Sequence, residues 1–199
     1  MIRVEALAVH HADRWRQLFK RSNSACHCRY WHFGGDKNSW LERCAFRESE
    51  NADEASNALR SGEASAMGVV AIDTSAADEP IVGWVKVAPR ASLQKLRRLP
   101  VYRALDLGED TNIFSIGCFL VDPSMRRHGA AKALLRGAID FARECGADFL
   151  EAYPRRAEGG LHDAEAWLGP YAIFTDEQFV AIHDDGPYPV LRKVVMKVE

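Results

Sequence analysis

Phe114-Ser-Ile-Gly-Cys-Phe-Leu-Val-Asp-Pro-Ser-Met-Arg-Arg-His-Gly-Ala-Ala-Lys-Ala-Leu-Leu135 decides the reading of this chain. An apolar run ends at Val121, Asp122-Pro123 marks a turn, and a helical period begins beyond Gly129. Arg126, Gly129 and Ala131 give the spacing Arg-x-x-Gly-x-Ala at that junction. The first backbone N–H groups of a helix have no internal partner and carry the positive end of its dipole, so a diphosphate can lie on them where nothing protrudes. Gly129 and Ala131 supply that clearance. Neither Gly-x-Gly-x-x-Gly nor Gly-x-x-x-x-Gly-Lys-Ser/Thr occurs here, so this is a phosphate loop of another kind.

The helix that follows is expected to run to Cys145, before Gly146, with Leu134, Leu135, Ala138, Ala142 and Cys145 on one face, and to lead into a strand Phe149–Tyr153. Beyond it come a polar loop around 155–160, a short helical stretch, a strand Phe179–His183, an Asp184-Asp185-Gly186 turn and a final strand Val190–Val198. Upstream, Ile2–Ala8 alternates like a strand, and Trp15, Leu18 and Phe19 share a helical face. Ser24–Asp36 reads as a loop dense in functional side chains, Cys26-His-Cys-Arg-Tyr-Trp-His32, followed by Gly34-Gly35. Ser39-x-x-Glu42 predicts a capping box for a helix with Trp40, Leu41 and Cys44 inward, and Gly62 closes a helical region containing Ala55 and Leu59. Ala66–Ile72 and Ile81–Ala88 read as a hairpin across 74–80. Between Pro89 and Leu107 a basic, partly helical excursion interleaves Arg90, Lys95, Arg97, Arg98 and Arg103 with leucines; it is either solvated surface or an anion-binding segment.

The junction resembles the coenzyme A signature of the GNAT superfamily of N-acetyltransferases, in which a strand ending in Val-x-Pro leads into Arg/Gln-x-x-Gly-x-Gly/Ala and a long helix. Val121-Asp122-Pro123 and Arg126-Arg127-His128-Gly129-Ala130-Ala131 carry the likeness. It is closest over 113–154, while the N-terminal half fits in its order of elements. The resemblance implies an α/β fold in one domain, 1–199: a mixed, mostly antiparallel sheet of about seven strands, splayed at the cofactor cleft and flanked by helices. It implies an acetyl-CoA-dependent N-acetyltransferase acting by direct attack of an amine on the thioester. Acetyl-CoA is then the co-substrate. The diphosphate would lie on backbone amides of Arg127–Lys132 (Arg126, Arg127, His128, Gly129, Ala130, Ala131 and Lys132 forming the loop), and the pantetheine arm would pair with Phe119, Leu120 and Val121 like an added strand.

A protonated amine has no lone pair, so its proton must leave and the departing thiolate benefits from a donor. Glu151, on the strand bordering the splay, is the candidate base, against the alternative of a solvent-facing strand carboxylate. The family often places a tyrosine four residues before a Gly-Phe pair. Here the pair is Gln178-Phe179 and the position is Phe174, without a proton to give, while Trp167 replaces the asparagine often found seven residues earlier. Tyr171 lies one helical turn before Phe174 and is the candidate replacement donor, against simple ring packing. These departures keep open a second reading, a coenzyme A-binding sensor without catalysis.

Tyr30, Trp31 and His32 are candidate acceptor-binding residues, because loops carry binding groups and apolar lining suits a ligand site. Cys26, Cys28 and Cys44 also invite a zinc reading, but Cys-x-Cys lacks the paired spacing of structural zinc sites, and no metal is expected. Five cysteines, an odd number at irregular spacing, fit reduced thiols. With 199 residues, 47% apolar and 27% charged, the chain reads as a globular domain. Its net charge of -2 gives no field for nucleic acid or a membrane surface, no run is long enough to span a bilayer, and Met1-Ile-Arg-Val-Glu5 is not expected to open a signal-peptide core. A cytoplasmic enzyme, monomer or homodimer, acting on a small-molecule or peptide amine is the expectation.

Overall fold

An apolar run without alternation suits a strand covered on both faces, and that run lies at the centre of the sheet in the computed structural model, which describes residues 1–157, 161–162, 165–184 and 186–196. In chain order the elements are β1 (Ile2–Ala6), α1 (Ala12–Arg21), α2 (Lys37–Phe46), α3 (Glu48–Arg60), β2 (Gly68–Asp73), β3 (Ile81–Pro89), β4 (Ile113–Val121), α4 (Ala130–Glu144), β5 (Phe149–Ala152), α5 (Tyr171–Asp176), β6 (Val180–His183) and β7 (Val190–Val194). The sheet order is β1-β2-β3-β4-β5-β7-β6. Among the described strands only β4 and β5 run parallel, with α4 as the crossover between them. The mostly antiparallel, seven-stranded sheet and the order of helices match the expectation.

Helix α4 buries Leu134, Leu135, Ala138, Ile139 and Ala142 against one face of the sheet. On the other face Trp15, Leu18 and Phe19 of α1 pack with Ala55 and Leu59 of α3 over Val70, Ile72 and Trp84. A third cluster, with Trp31, Leu93, Leu96, Tyr102, Tyr153 and Leu168, draws the loop after α1 and the 89–112 excursion onto β3 and β5.

Several local expectations are corrected. The cap of α2 is Asp36, whose carboxylate accepts from the Ser39 amide at 2.8 Å, rather than Ser39. The helix therefore starts earlier, and Trp40 is buried while Leu41 is 54% exposed and Cys44 only partly covered. Cys145 is exposed because α4 ends at Glu144 and Cys145 is its C-cap, at the turn that leads into β5. Ala66 belongs to a short 3-10 turn, so β2 begins at Gly68. The last strand ends at Val194 rather than continuing toward Val198, and residues 197–199, with parts of the 155–160 loop and the 184–186 turn, lie outside the described residues.

Candidate active site

The parallel ladder between β4 and β5 covers only Ile113–Ser115 against Phe149–Glu151. Beyond Ser115 the strands part, and among the described residues no strand pairs with the stretch to Val121 on its β5 side. At the fork, β4 carries one extra residue: Lys86 faces Cys118 and Val87 faces Ile116, so Gly117 bulges out of register. A Cβ on Gly117 would lie 2.9 Å from Trp31 Nε1, an approach only glycine permits. Trp31 is 1% exposed and donates Nε1–H to the Gly117 carbonyl at 2.5 Å, pinning the loop after α1 to the bulge. Trp31→Phe should remove this buried donor and cost about 1–3 kcal/mol of stability. Thermal unfolding checks this, and an unchanged melting temperature would show that the bond does not anchor the loop.

Along the open edge runs a cavity of about 570 Å³, lined by Phe119, Leu120 and Val121, by Arg126, Arg127, Gly129, Ala130, Ala131 and Lys132, and by Trp167 and Ile173 on the far side. It ends on the first turn of α4. Gly129 is the N-cap, at φ +82 and without a capping side chain, so the free amides of the first turn face the cavity. Arg127 is also left-handed, at φ +61. Among the lining residues the charged ones are Arg126, Arg127 and Lys132, and none is a carboxylate or imidazole. Such a chamber favours an anionic group at one end and an apolar arm along its length.

Nine of the ten expected cofactor residues line this cavity. His128 does not: it is exposed and its Nδ1 meets the Arg126 carbonyl at 2.7 Å. Ser22, Asn23 and Ser24 also line it, where α1 gives way to a turn with Asn23 at φ +49. Their one sequence signal is a run of turn-forming residues after a helix. Asp122, beside the loop, is matched by Arg21 at 2.8 Å and by the Ser124 hydroxyl at 2.7 Å. Burial pushes its carboxyl up, but these partners outweigh it and hold it below the usual range.

Tyr30, Trp31 and His32 stand outside the cavity. Trp167 is the link, its ring 5.9 Å from Tyr30 and 5.8 Å from Trp31, and its carbonyl accepts the Phe119 amide at 2.6 Å. Burial, with Lys86 and Arg29 nearby, pushes the His32 imidazole down to about 3, so it is neutral. Lys95 Nζ lies 4.6 Å from the Tyr30 ring centroid and 5.1 Å from that of Phe33.

Glu151 is placed differently from either expectation. It is fully buried at the closed end of the fork. Arg192, its register partner on β7, reaches Oε1 at 2.6 Å, Arg90 Nη1 lies 3.1 Å from both oxygens, and the Tyr153 hydroxyl donates at 2.7 Å. Burial and the Glu151 charge drive the Tyr153 phenol well above its usual range, so it remains a donor. Arg90 is accordingly neither solvated nor free for an anionic ligand: it is 2% exposed and binds Asp110 and the carbonyls of Leu107, Gly108 and Glu109. Tyr171 opens α5 with its ring under the Arg156 guanidinium, 4.9 Å away, and is not among the cavity's lining residues. Phe174 is fully buried.

All five cysteines are free. Among the described residues one group converges as metal ligands do, Glu5, His10 and His11. There the Ala8 amide donates to His11 Nδ1 at 3.1 Å. Burial lowers the His11 imidazole, so the neutral ring carries its proton on Nε2, facing Glu5, and offers no lone pair to a cation.

The model of the Acetyltransferase (GNAT) family matches residues 30–161. Among solved structures, the PaiA N-acetyltransferase of Thermoplasma acidophilum, in complex with coenzyme A, is 12% identical, with 98% of this chain and 99% of that chain covered and a TM-score of 0.53. An N-acetyltransferase of Staphylococcus aureus Mu50 is 11% identical over 98% and 99% of the two chains, with a TM-score of 0.53. A GNAT-family acetyltransferase of Brucella melitensis, in complex with acetyl-CoA, is 15% identical over 98% and 88%, with a TM-score of 0.50. Among curated protein sequences none matches significantly. The family match spans most of the chain and includes both the bulged strand and the uncapped helix, so this protein belongs to the GNAT acetyltransferase family.

Proposed function

We propose that the protein transfers the acetyl group of acetyl-CoA to an amine, and that the cavity from the fork to the N-terminus of α4 is the coenzyme site. The uncapped first turn of α4 at the cationic end of this cavity is the observation that carries the reading. Amides of Arg127–Lys132 receive the diphosphate, and the free edge at Phe119–Val121 pairs with the pantetheine arm. The Phe119 amide is already bonded to Trp167, so the arm must exchange a bond with this strap rather than meet a vacant donor. Once the strap shifts, the aromatic wall of Tyr30, Trp31 and His32 lies toward the acceptor side of the thioester. The two PaiA and Brucella proteins, solved with coenzyme A and acetyl-CoA, hold the same class of ligand.

The attacking amine loses its proton to water in this reading. Glu151 has its lone pairs occupied by two guanidinium groups and a phenol, and Tyr171 stands off the cavity. Juxtaposition of the two substrates then supplies most of the rate enhancement. We place the acceptor among small-molecule or peptide amines, and the reaction in the cytoplasm. No described helix is long and apolar enough to cross a membrane.

The test is release of coenzyme A thiol from acetyl-CoA across a panel of amines, with the acetylated product identified by mass. Turnover with at least one amine is expected, and binding without amine-dependent release would favour the sensor reading, which the buried Phe174 makes a real competitor. Tyr171→Phe should leave kcat within about threefold of the parent, whereas loss of a general acid would lower it about a hundredfold. A hundredfold drop would restore Tyr171 as the donor.

A further inference from the structure

The free edge of β4 carries an occupant from its own chain. Residues 166–169 run past it as a strap, between a turn closed on the His162 carbonyl and the start of α5. The Trp167 carbonyl accepts the Phe119 amide at 2.6 Å, and among the described residues this is the one backbone bond between strap and strand. The other edge of β4 pairs with β3, where Val85 faces Phe119, so the bonded N–H belongs to the edge that an added strand would use. Ala166 and Trp167 at the same time line the far wall of the cavity.

The strap is fitted to this place. Gly169 is left-handed at φ +91, and a Cβ there would lie 2.9 Å from the Phe119 and Phe174 rings, so only glycine passes over them. Leu168 is buried in the cluster of Trp31, Tyr153 and Val190. The Trp167 ring lies outside, 37% exposed, edge-on at 81° to Tyr30 and tilted by 43° to Trp31. The Arg155–Glu165 ion pair at 2.8 Å is exposed and adds little. What holds the strap against β4, apart from one hydrogen bond and Leu168, is therefore the Trp167 ring.

We propose that the strap is an internal competitor for the coenzyme site: it occupies the Phe119 amide that the pantetheine arm needs, and the Trp167 ring keeps it closed. The inference rests on the coenzyme reading above. One N–H cannot serve both the arm and the Trp167 carbonyl in line, so acetyl-CoA binds the form in which the strap has left β4. Its apparent affinity is lowered by the fraction of molecules in that form. The diphosphate end stands outside this competition, since among the described residues no backbone bond joins the strap to Arg127–Lys132. Leaving β4 also draws the indole off Tyr30 and Trp31, so entry of the coenzyme uncovers the aromatic wall.

Trp167→Ala tests this, because it keeps the backbone carbonyl, removes the ring contacts and falls at a partly exposed position. Calorimetric titration should show acetyl-CoA bound about fivefold or more tighter than by the parent, the scale of two aromatic contacts. Truncating a side chain that merely lined the ligand would weaken binding instead. 3′-Phosphoadenosine 5′-diphosphate, which has the diphosphate without the arm, should bind parent and variant within about twofold of each other. Without ligand, hydrogen exchange at the Phe119 amide, followed by NMR, should be about fivefold or more faster in the variant. Weaker or unchanged acetyl-CoA binding, an equal gain for both ligands, or a Phe119 amide exchanging at the parent rate would each overturn the strap. A parent protein that binds neither ligand is a different result: it removes the coenzyme reading, and the competitor with it.

Discussion

Gly129→Glu is expected to lower the affinity for acetyl-CoA at least a hundredfold while the protein stays folded. Position 129 sits at φ +82, where any L side chain costs about 1–2 kcal/mol. A Cβ there meets nothing within 4 Å, so crowding of the protein itself adds nothing. The added carboxylate lies at the positive end of α4, a place that suits the helix but occupies the amides on which a diphosphate would lie and repels its charge. Gly129→Ala introduces the same backbone strain without the charge, and its loss should be about tenfold or less. Calorimetric titration of both variants separates the two effects. A folded Gly129→Glu protein with parental affinity would remove the coenzyme from this cavity.

Glu151→Gln is expected to act on stability first. The substitution leaves Arg90 and Arg192 around a neutral amide at a fully buried position. Removing one partner of a buried ion pair costs about 3–5 kcal/mol, because the remaining charge keeps its desolvation penalty. For a chain of this size that corresponds to a melting temperature lower by roughly 6–15 °C. Adding Arg192→Gln should cost less than the sum of the two single changes, since the pair is then removed together. The alternative outcome is equally plain: a melting temperature unchanged to within about 1 °C, with kcat down about a hundredfold, would make Glu151 the proton acceptor after all.

The parts of the site legible in the sequence were those written in one continuous stretch. Strand β4, the turn at Pro123 and the small residues opening α4 sit side by side, and their local chemistry specifies their local geometry. His128 lies in the same stretch yet faces away, because the left-handed residues on either side of it set a direction that composition does not encode. Glu151 could not be read correctly from its own neighbourhood. Its partners lie 61 residues before it and 41 after it, brought together by the β5–β7 register and by the excursion that carries Arg90. Arg90 reads as one more cation in a basic segment because the carboxylate and three carbonyls that bind it lie 17 to 20 residues further along the chain. The stretch after α1 is legible as a loop, but not as a turn that sends Trp31 inward, since that depends on Gly117 leaving room on a strand more than eighty residues away.

The short seam between β4 and β5 has a mechanical consequence. Three residue pairs join two wings, β1 to β4 on one side and β5, β7 and β6 on the other. Bonds close to the root of a wedge resist its opening with little leverage, so the stiffness of the whole sheet at this line falls to the tie bar formed by Ser115, Tyr153, Glu151 and the two arginines. Anything laid along the gap as a strand acts at the far end, with the longest lever arm, and clamps the wings more firmly than its own few bonds would in the middle of a closed sheet. The molecule is in this sense a hinge whose pin is charged and largely buried, and a ligand laid along the gap would be its latch.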